Sequence, residues 1–262
     1  MKKKKIAILL SGNIRIHEEN RKCLIDFFRD FEITIFATIW NNQKNINEFV
    51  QYYQINNYNL IELKNWESTL SKVKYVTGEE NRSFKIENIF HMWLSISEST
   101  KFLQKQVKEK KLFFDYVCRF RSDLIIKTSS NYIKDQIIKL KENQILVPCS
   151  NHFKGVNDRF FITSYSTYLK FENIMFFIEK FITYKPLNPE YLFYCFIKNY
   201  KMKIILMNNL NEKILAQHTK THENYELKPT KNVHVPLMDK ISMKKIKYEI
   251  KIKKFLLNIK LY

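Results

Sequence analysis

Strand and helix patterns alternate in the first forty residues, and this alternation restricts the fold more than any other feature of the chain. Residues 4–10 predict a strand with a continuous apolar run, typical of strands buried on both faces of a parallel sheet. The run ends at Ser11-Gly12-Asn13, and apolar side chains recur at helical spacing over residues 16–30. Residues 32–40, rich in β-branched and aromatic side chains, predict a second strand. This order predicts an α/β fold with a mostly parallel sheet flanked by helices.

The rest of the chain continues with helices and strands and contains no internal repeat or low-complexity linker. We therefore predict one domain over residues 1–239, followed by a basic tail over residues 240–262. Further helices are expected at residues 84–110, 165–182 and 188–199. Further strands are expected at residues 60–63, 115–126, 144–148, 159–163 and 202–207.

The composition excludes several classes of protein. The chain has 262 residues, of which 45% are hydrophobic and 27% charged, and a formal net charge of +19. These values exclude a disordered chain, a collagen and a coiled coil. Much of the positive charge accompanies an excess of Lys, Asn and Ile that is typical of A/T-rich genomes, so it is weak evidence for nucleic-acid binding. No zinc-finger or RNP-like motif supports such binding. A basic nucleic-acid-binding protein is therefore the less favoured alternative to an enzyme.

Several features bear on the compartment. No stretch reaches the ~18 apolar residues of a membrane span. The apolar run behind the N-terminal lysines is too short for a signal peptide. The four cysteines have no metal-ligand spacing, which favours reduced thiols. We expect a cytoplasmic protein, or a peripheral one on the inner face of the cytoplasmic membrane.

Glycine is rare, and its position is informative. Only 3 glycines occur, and Gly12 follows the first predicted strand. A glycine in such a chain is expected where φ is positive or where the backbone is approached closely. Ligands bind beyond the carboxyl ends of parallel strands. The loop after this strand is therefore a candidate nucleotide-binding loop, formed by Ser11, Gly12, Asn13 and Arg15. An ordinary turn is the alternative, since a lone glycine is not a dinucleotide fingerprint.

A charged cluster interrupts the predicted strand over residues 115–126. Alternation places Arg119, Arg121 and Asp123 on one face of that strand. Three charges there are costly unless they are paired or face a ligand. Arginines can clamp a diphosphate, and a carboxylate can hold a divalent cation. An internal Arg–Asp ion pair at the sheet edge is the alternative.

Two carboxylates are candidates for acid–base chemistry. Asp158 lies between Asn157 and Arg159, just before an aromatic strand, and is suited to orient an acceptor hydroxyl or serve as a general base. Its alternative is an Asx-type turn at the strand start. Glu190 follows Pro189 at a predicted helix start, where helix capping is the alternative.

The order of these motifs resembles that of bacterial and viral glycosyltransferases that build capsule or lipopolysaccharide. The resemblance covers roughly residues 5–200, and the order is more specific than any single motif. The segments that carry it are Leu10–Arg15, Ile39-Trp40, Phe114–Leu124, Gly155–Phe160 and Pro189-Glu190. It implies a GT-A-like, Rossmann-type fold with a nucleotide-sugar donor at the carboxyl edge of the sheet.

The resemblance also implies roles for individual residues. Asp158, and after it Glu190, would be the catalytic base of an inverting enzyme; in a retaining enzyme neither need act as a base. Asp123 would lie near a Mn²⁺ or Mg²⁺ ion, but Arg121-Ser122-Asp123 stands where the family has D-x-D, which puts metal dependence in doubt. The donor-binding residues would be Ser11, Gly12, Asn13, Arg15, Trp40, Arg119, Arg121, Asp123, Asn157 and Arg159.

The implied reaction is transfer of a hexose-type sugar from its nucleotide carrier to a hydroxyl of a surface glycan or lipid-linked glycan. Another nucleotide-dependent transferase acting on surface glycans is the alternative. The tail carries eight lysines and only Glu249 as an acid, interleaved with apolar residues that fit a helix or a strand. Such a segment suits an anionic membrane surface, and a helix packed on the domain is its alternative.

Overall fold

The computed structural model describes residues 3–16, 18–73, 87–126, 131–148, 156–183, 188–207, 214–216 and 225–226. Its strands are β1 (Lys5–Gly12), β2 (Glu32–Trp40), β3 (Asn57–Ile61), β4 (Tyr116–Phe120), β5 (Leu124–Ile126), β6 (Gln144–Pro148), β7 (Phe160–Ser164), β8 (Lys203–Met207), β9 (Ile214–Ala216) and β10 (Tyr225–Glu226). Its helices are α1 (Glu18–Phe27), α2 (Ile46–Tyr53), α3 (Glu67–Leu70), α4 (Glu87–Lys110), α5 (Asn131–Ile138), α6 (Tyr165–Tyr168), α7 (Ile174–Phe181) and α8 (Pro189–Asn199).

Seven strands form the main sheet in the order β3-β2-β1-β4-β7-β6-β8. Strand β7 runs antiparallel to β4 and β6, and the other neighbouring pairs are parallel. A second sheet has the order β10-β9-β5. The predicted α/β architecture, a mostly parallel sheet flanked by helices, is therefore confirmed.

The two faces of the main sheet are covered by different sets of helices, and β1 shows why its apolar run is continuous. Ala7 and Leu9 pack in a core with residues of α4, α7 and α8. Ile6 and Ile8 pack in the opposite core with residues of α1, α2 and α5. Because successive side chains enter opposite cores, no position of the strand interior is left for a polar residue.

The single strand predicted over residues 115–126 is wrong: the chain forms β4 and β5, which belong to different sheets. Between them the Leu124 N–H donates to the Arg121 carbonyl at 3.0 Å, which closes a turn. The Asn20 side-chain amide donates to the Ser122 carbonyl at 2.6 Å and ties this turn to α1. The turn carries Arg121 and Asp123 out of the sheet and toward its carboxyl edge.

Other differences are smaller. The helix predicted over residues 165–182 is divided into α6, a 3₁₀ segment Leu169–Asn173 and α7. Within the described ranges, no helix combines the length and apolar character needed to cross a bilayer. Within the described part of the chain, Cys23, Cys118 and Cys195 form no disulfide. The basic tail predicted at residues 240–262 and Gly155 lie outside the described residues.

Candidate functional site

A cleft of about 550 Å³ lies at the carboxyl ends of β1, β2 and β4. The antiparallel β7 pairs Phe160 with Phe120, so the residues just before β7 reach the same edge. The cleft brings together eleven of the twelve residues that the sequence predicts for the site. They are Ser11, Gly12, Asn13, Arg15, Trp40, Arg119, Arg121, Asp123, Asp158, Arg159 and Glu190.

Gly12 ends β1 at the cleft with φ +99°, which is the first of the two conditions expected for this glycine, a positive φ or a close approach to the backbone. A Cβ at this position would lie 3.6 Å from the Ser95 hydroxyl oxygen and 3.9 Å from Nε1 of Trp40. These are ordinary contacts, so the backbone conformation rather than lack of space requires glycine here.

Asp123 is held between two arginines. Its Oδ1 accepts from Nε of Arg121 at 2.9 Å, and its Oδ2 accepts from Nη2 of Arg121 at 2.6 Å and from Nη1 of Arg15. Only 3% of the Asp123 side chain is exposed. Burial alone would raise the pKa of this carboxyl, but the charges and hydrogen bonds of Arg121, with Arg15, lower it to about 2.

This pKa predicts how the free energy of unfolding depends on pH. Ionised Asp123 stabilises the fold above its ordinary pKa of 3.8, and this contribution of about 2 kcal/mol disappears as the pH falls toward 2. Urea unfolding between pH 2 and 7 should therefore show the stability of the wild type converging on that of Asp123→Asn at the acid end. A constant difference between the two proteins over this range would contradict the ion-paired Asp123.

Arg119 is buried on the α4 side of the sheet, because it follows Val117 by two residues on β4 and Val117 packs in the core with residues of α4. The single strand face predicted for Arg119, Arg121 and Asp123 is wrong, since β4 ends at Phe120. Its Nη1 donates to the Arg159 carbonyl at 2.7 Å, and the Arg121 N–H donates to the same carbonyl at 3.3 Å. Burial lowers the pKa of Arg119 to about 10, with the charge of Asp158 opposing the shift, so the guanidinium stays charged near pH 7. Arg119 thus positions the segment that carries Asp158 and Arg159.

Arg159 brings to the cleft a cation that forms no ion pair within the described residues, although the charges of Asp158, Glu190 and Asp123 act on it. Among the described residues, no carboxylate lies within 4 Å of its guanidinium and no acceptor takes a hydrogen bond from its side chain. Burial, together with the charge of Arg121, lowers its pKa. The neighbouring Asp158 is only 3% exposed, and its carboxylate accepts no hydrogen bond from the part of the chain described here. The cleft therefore contains the guanidinium of Arg159 and the carboxylate of Asp158 as neighbouring groups that can contact a ligand.

Asn157 is the predicted site residue that does not line the cleft. Its Oδ1 accepts from the Arg159 N–H at 2.9 Å, which forms the Asx-type turn considered for this segment. Glu190 lies in the first turn of α8, where Asn188 caps the helix through the Tyr191 N–H at 2.9 Å. The Glu190 carbonyl accepts from the Val156 N–H at 2.9 Å, so α8 anchors the chain just before Asp158.

One wall of the cleft is formed by residues that the sequence patterns do not predict. Its residues come from the segment after β2, from Leu63 and from the first turns of α4; they include Asn42, Gln43, Leu63, His91, Met92 and Ser95. The His91 ring lies 5.2 Å from that of Trp40, and its Nε2 is 3.2 Å from the Lys64 carbonyl. In the sequence, only one pattern points to these wall residues. His91 and Ser95 are four residues apart, so they share the polar flank of an amphipathic helix.

The residues present do not fit a divalent cation held by Asp123. Each of its oxygens already accepts from a guanidinium, and a cation there would lie beside Arg15 and Arg121. Among the residues that the structure describes, no three His, Cys, Asp or Glu side chains group as metal ligands.

No family model matches the chain. No curated protein matches it either. Among solved structures it is similar to the glycosyltransferase GlyE of Streptococcus pneumoniae TIGR4, with 12% identity over 78% of this chain and 45% of that one and a TM-score of 0.40. It is similar to mouse xyloside xylosyltransferase 1, with 9% identity, 78% and 85% coverage and a TM-score of 0.38.

A third similar structure is a putative nucleotide-diphospho-sugar transferase from Desulfovibrio desulfuricans G20, with 5% identity, 78% and 80% coverage and a TM-score of 0.41. The chain thus spans less than half the length of GlyE.

Proposed function

We propose that the chain is a glycosyltransferase that binds a nucleotide-sugar donor in this cleft and transfers the sugar to a glycan hydroxyl. The observation that carries the proposal is the guanidinium of Arg159, unpaired within the described residues, beside the buried carboxylate of Asp158 at the carboxyl edge of the sheet. A diphosphate needs cationic hydrogen-bond donors, and a hydroxyl nucleophile needs a base.

The charges suit one defined reaction. The acceptor oxygen attacks the anomeric carbon, the bond from that carbon to the diphosphate oxygen breaks, and the electron pair leaves with the nucleoside diphosphate. In an inverting transfer Asp158 accepts the hydroxyl proton, with Glu190 as the second candidate. Arg159 and Arg121 stabilise the charge that develops on the departing diphosphate.

The opposite side of the cleft suits the rest of a donor. Its aromatic and apolar surface comes from Trp40, His91, Met92 and Leu63. Its side-chain amides come from Asn42 and Gln43. A few polar groups on an apolar wall are typical of small-molecule sites, and ~300–1,000 Å³ is their usual volume. We assign this side to the base and sugar of the donor nucleotide.

The finer assignments rest on the resemblance of the sequence motifs. We propose a surface glycan of the capsule or lipopolysaccharide type as acceptor, free or lipid-linked, and a cytoplasmic site of action. Residues 1–239 would form the transferase domain, and the lysine-rich residues 240–262 would bind the anionic inner face of the membrane.

A thermal-shift screen with UDP, GDP, CDP and ADP tests the proposal. One of them should raise the Tm of the wild type by several degrees, because a ligand that binds only the folded state stabilises it. Arg159→Ala should lose most of the shift. Arg29→Ala is the matched control: it removes an exposed arginine whose carbonyl contacts Lys3, near the opposite end of β1, and should keep the shift.

Two results would count against the proposal. The first is that none of the four nucleotides changes the Tm at millimolar concentration. The second is that Arg159→Ala and Arg29→Ala respond alike. Mass spectrometry of the acceptor product then separates transfer of a sugar from transfer of a phosphoryl-type group.

A further inference from the structure

The carboxylate of Asp123 links two segments that are distant in sequence. Arg15 lies in the loop after β1, and Arg121 follows β4; both guanidinium groups meet on this one carboxylate. The Ser122 hydroxyl donates to the Asn13 carbonyl at 3.1 Å and joins the same two segments. The position of both arginines in the cleft therefore depends on Asp123.

The two arginines keep donors for a ligand. A guanidinium has five N–H donors. Arg121 uses Nε and Nη2 on Asp123, and Arg15 uses Nη1, which leaves Nη1 of Arg121 and both Nε and Nη2 of Arg15 without acceptors among the described residues. Their side chains are 23% and 27% exposed and line the cleft.

The electrostatics of this cluster favour an anion. Two guanidinium groups share the carboxylate of Asp123, so these three residues keep a net positive charge. Arg159, whose carbonyl accepts from the Arg121 N–H, adds a further cation to the same lining, which also contains the carboxylates of Asp158 and Glu190. A divalent cation on Asp123 could use only the lone pair of Oδ1 that no guanidinium occupies, and it would then be repelled by both Arg15 and Arg121. A diphosphate meets no such obstacle, because oxyanions match the planar fork of arginine.

We propose that Asp123 is a positioning residue that orients Arg15 and Arg121, and that these arginines with Arg159 hold the diphosphate of the donor without a divalent cation. This inference rests on the proposed function, since it assigns the charge partner of the leaving nucleoside diphosphate. It departs from the interpretation of Asp123 as a metal ligand.

Isothermal titration calorimetry of the full chain with UDP, GDP, CDP and ADP, in excess EDTA and then with Mn²⁺ or Mg²⁺, tests the inference. The nucleotide that binds should do so with a Kd that changes less than about threefold between the two conditions. Asp123→Asn should weaken binding by about 10- to 100-fold in both, since the arginines lose a charged hydrogen-bond partner. Simple removal of a negative charge would instead strengthen anion binding.

A second variant guards against misfolding of the first. Arg121→Lys keeps the charge but not the fork, and should weaken binding about tenfold in EDTA, whereas Arg29→Ala should not. Binding that requires the metal, and loses that requirement in Asp123→Asn, would overturn the inference and leave the proposed function standing. Absence of nucleotide binding in both conditions would refute the proposed function and this inference with it.

Discussion

Asp158→Asn is expected to lower kcat by about 10²- to 10⁴-fold, the usual contribution of a general base. Asparagine keeps the size of the side chain but cannot accept a proton from the acceptor hydroxyl. The site offers a reason to choose Asp158, because its carboxylate is buried at the cleft and accepts no hydrogen bond from the described residues. Transfer would be measured at saturating donor and acceptor across a range of pH.

The control for this variant is Glu190→Gln, which changes the other candidate carboxylate in the same way. We expect Asp158→Asn to keep the thermal shift given by the nucleoside diphosphate, since the change removes no cation. Full kcat in Asp158→Asn together with a large loss of kcat in Glu190→Gln would identify Glu190, and not Asp158, as the general base. Full kcat in both variants would indicate a reaction without a carboxylate base, as in a retaining transfer.

The local sequence is sufficient to predict the strands at the start of the fold. The pattern of β1 is decided by burial on both faces, and every residue from Ile6 to Leu10 satisfies it. The cleft follows from the rule that ligands bind at the carboxyl ends of parallel strands. Arg119, Arg121 and Gly12 meet there because β1 and β4 are parallel neighbours.

The turn at Arg121–Asp123 could not be predicted, because the contacts that fix it are distant in sequence. Two charged residues at positions i and i+2 share a face in an extended strand, and they can also pair across a turn. The hydrogen bond from Asn20 to Ser122 spans 102 residues and favours the turn. No local pattern contains that information.

The wall formed by α4 was missed for a different reason. Helical periodicity identifies which side of a helix is apolar, but not where the sheet beneath it ends. Trp93 lies in the core, whereas Met92 and Ser95 line the cleft. The difference depends on the carboxyl edge of β1 and β2, which only the packed structure defines.

Arg119→Met is expected to lower the rate of transfer without lowering the free energy of unfolding. Burial lowers the pKa of Arg119 to about 10, which reflects the cost of removing its charge from water, and its Nε has no hydrogen-bond partner among the described residues. Because Arg119 forms no ion pair among the described residues, the gain from no longer burying its charge should offset the loss of its hydrogen bond to the Arg159 carbonyl. The Arg159 carbonyl would still accept from the Arg121 N–H. Urea unfolding should therefore show no loss of stability.

Transfer by Arg119→Met should nevertheless fall about 10²-fold in kcat/KM. Arg119 holds the Arg159 carbonyl, so its loss lets the segment with Asp158 and Arg159 shift, and a displacement of ~1 Å in a reacting group can cost this much. Arg119→Lys should recover part of the rate, because an ammonium can still donate to that carbonyl. A variant that unfolds several kcal/mol more easily but keeps its rate would make Arg119 a residue of the core alone.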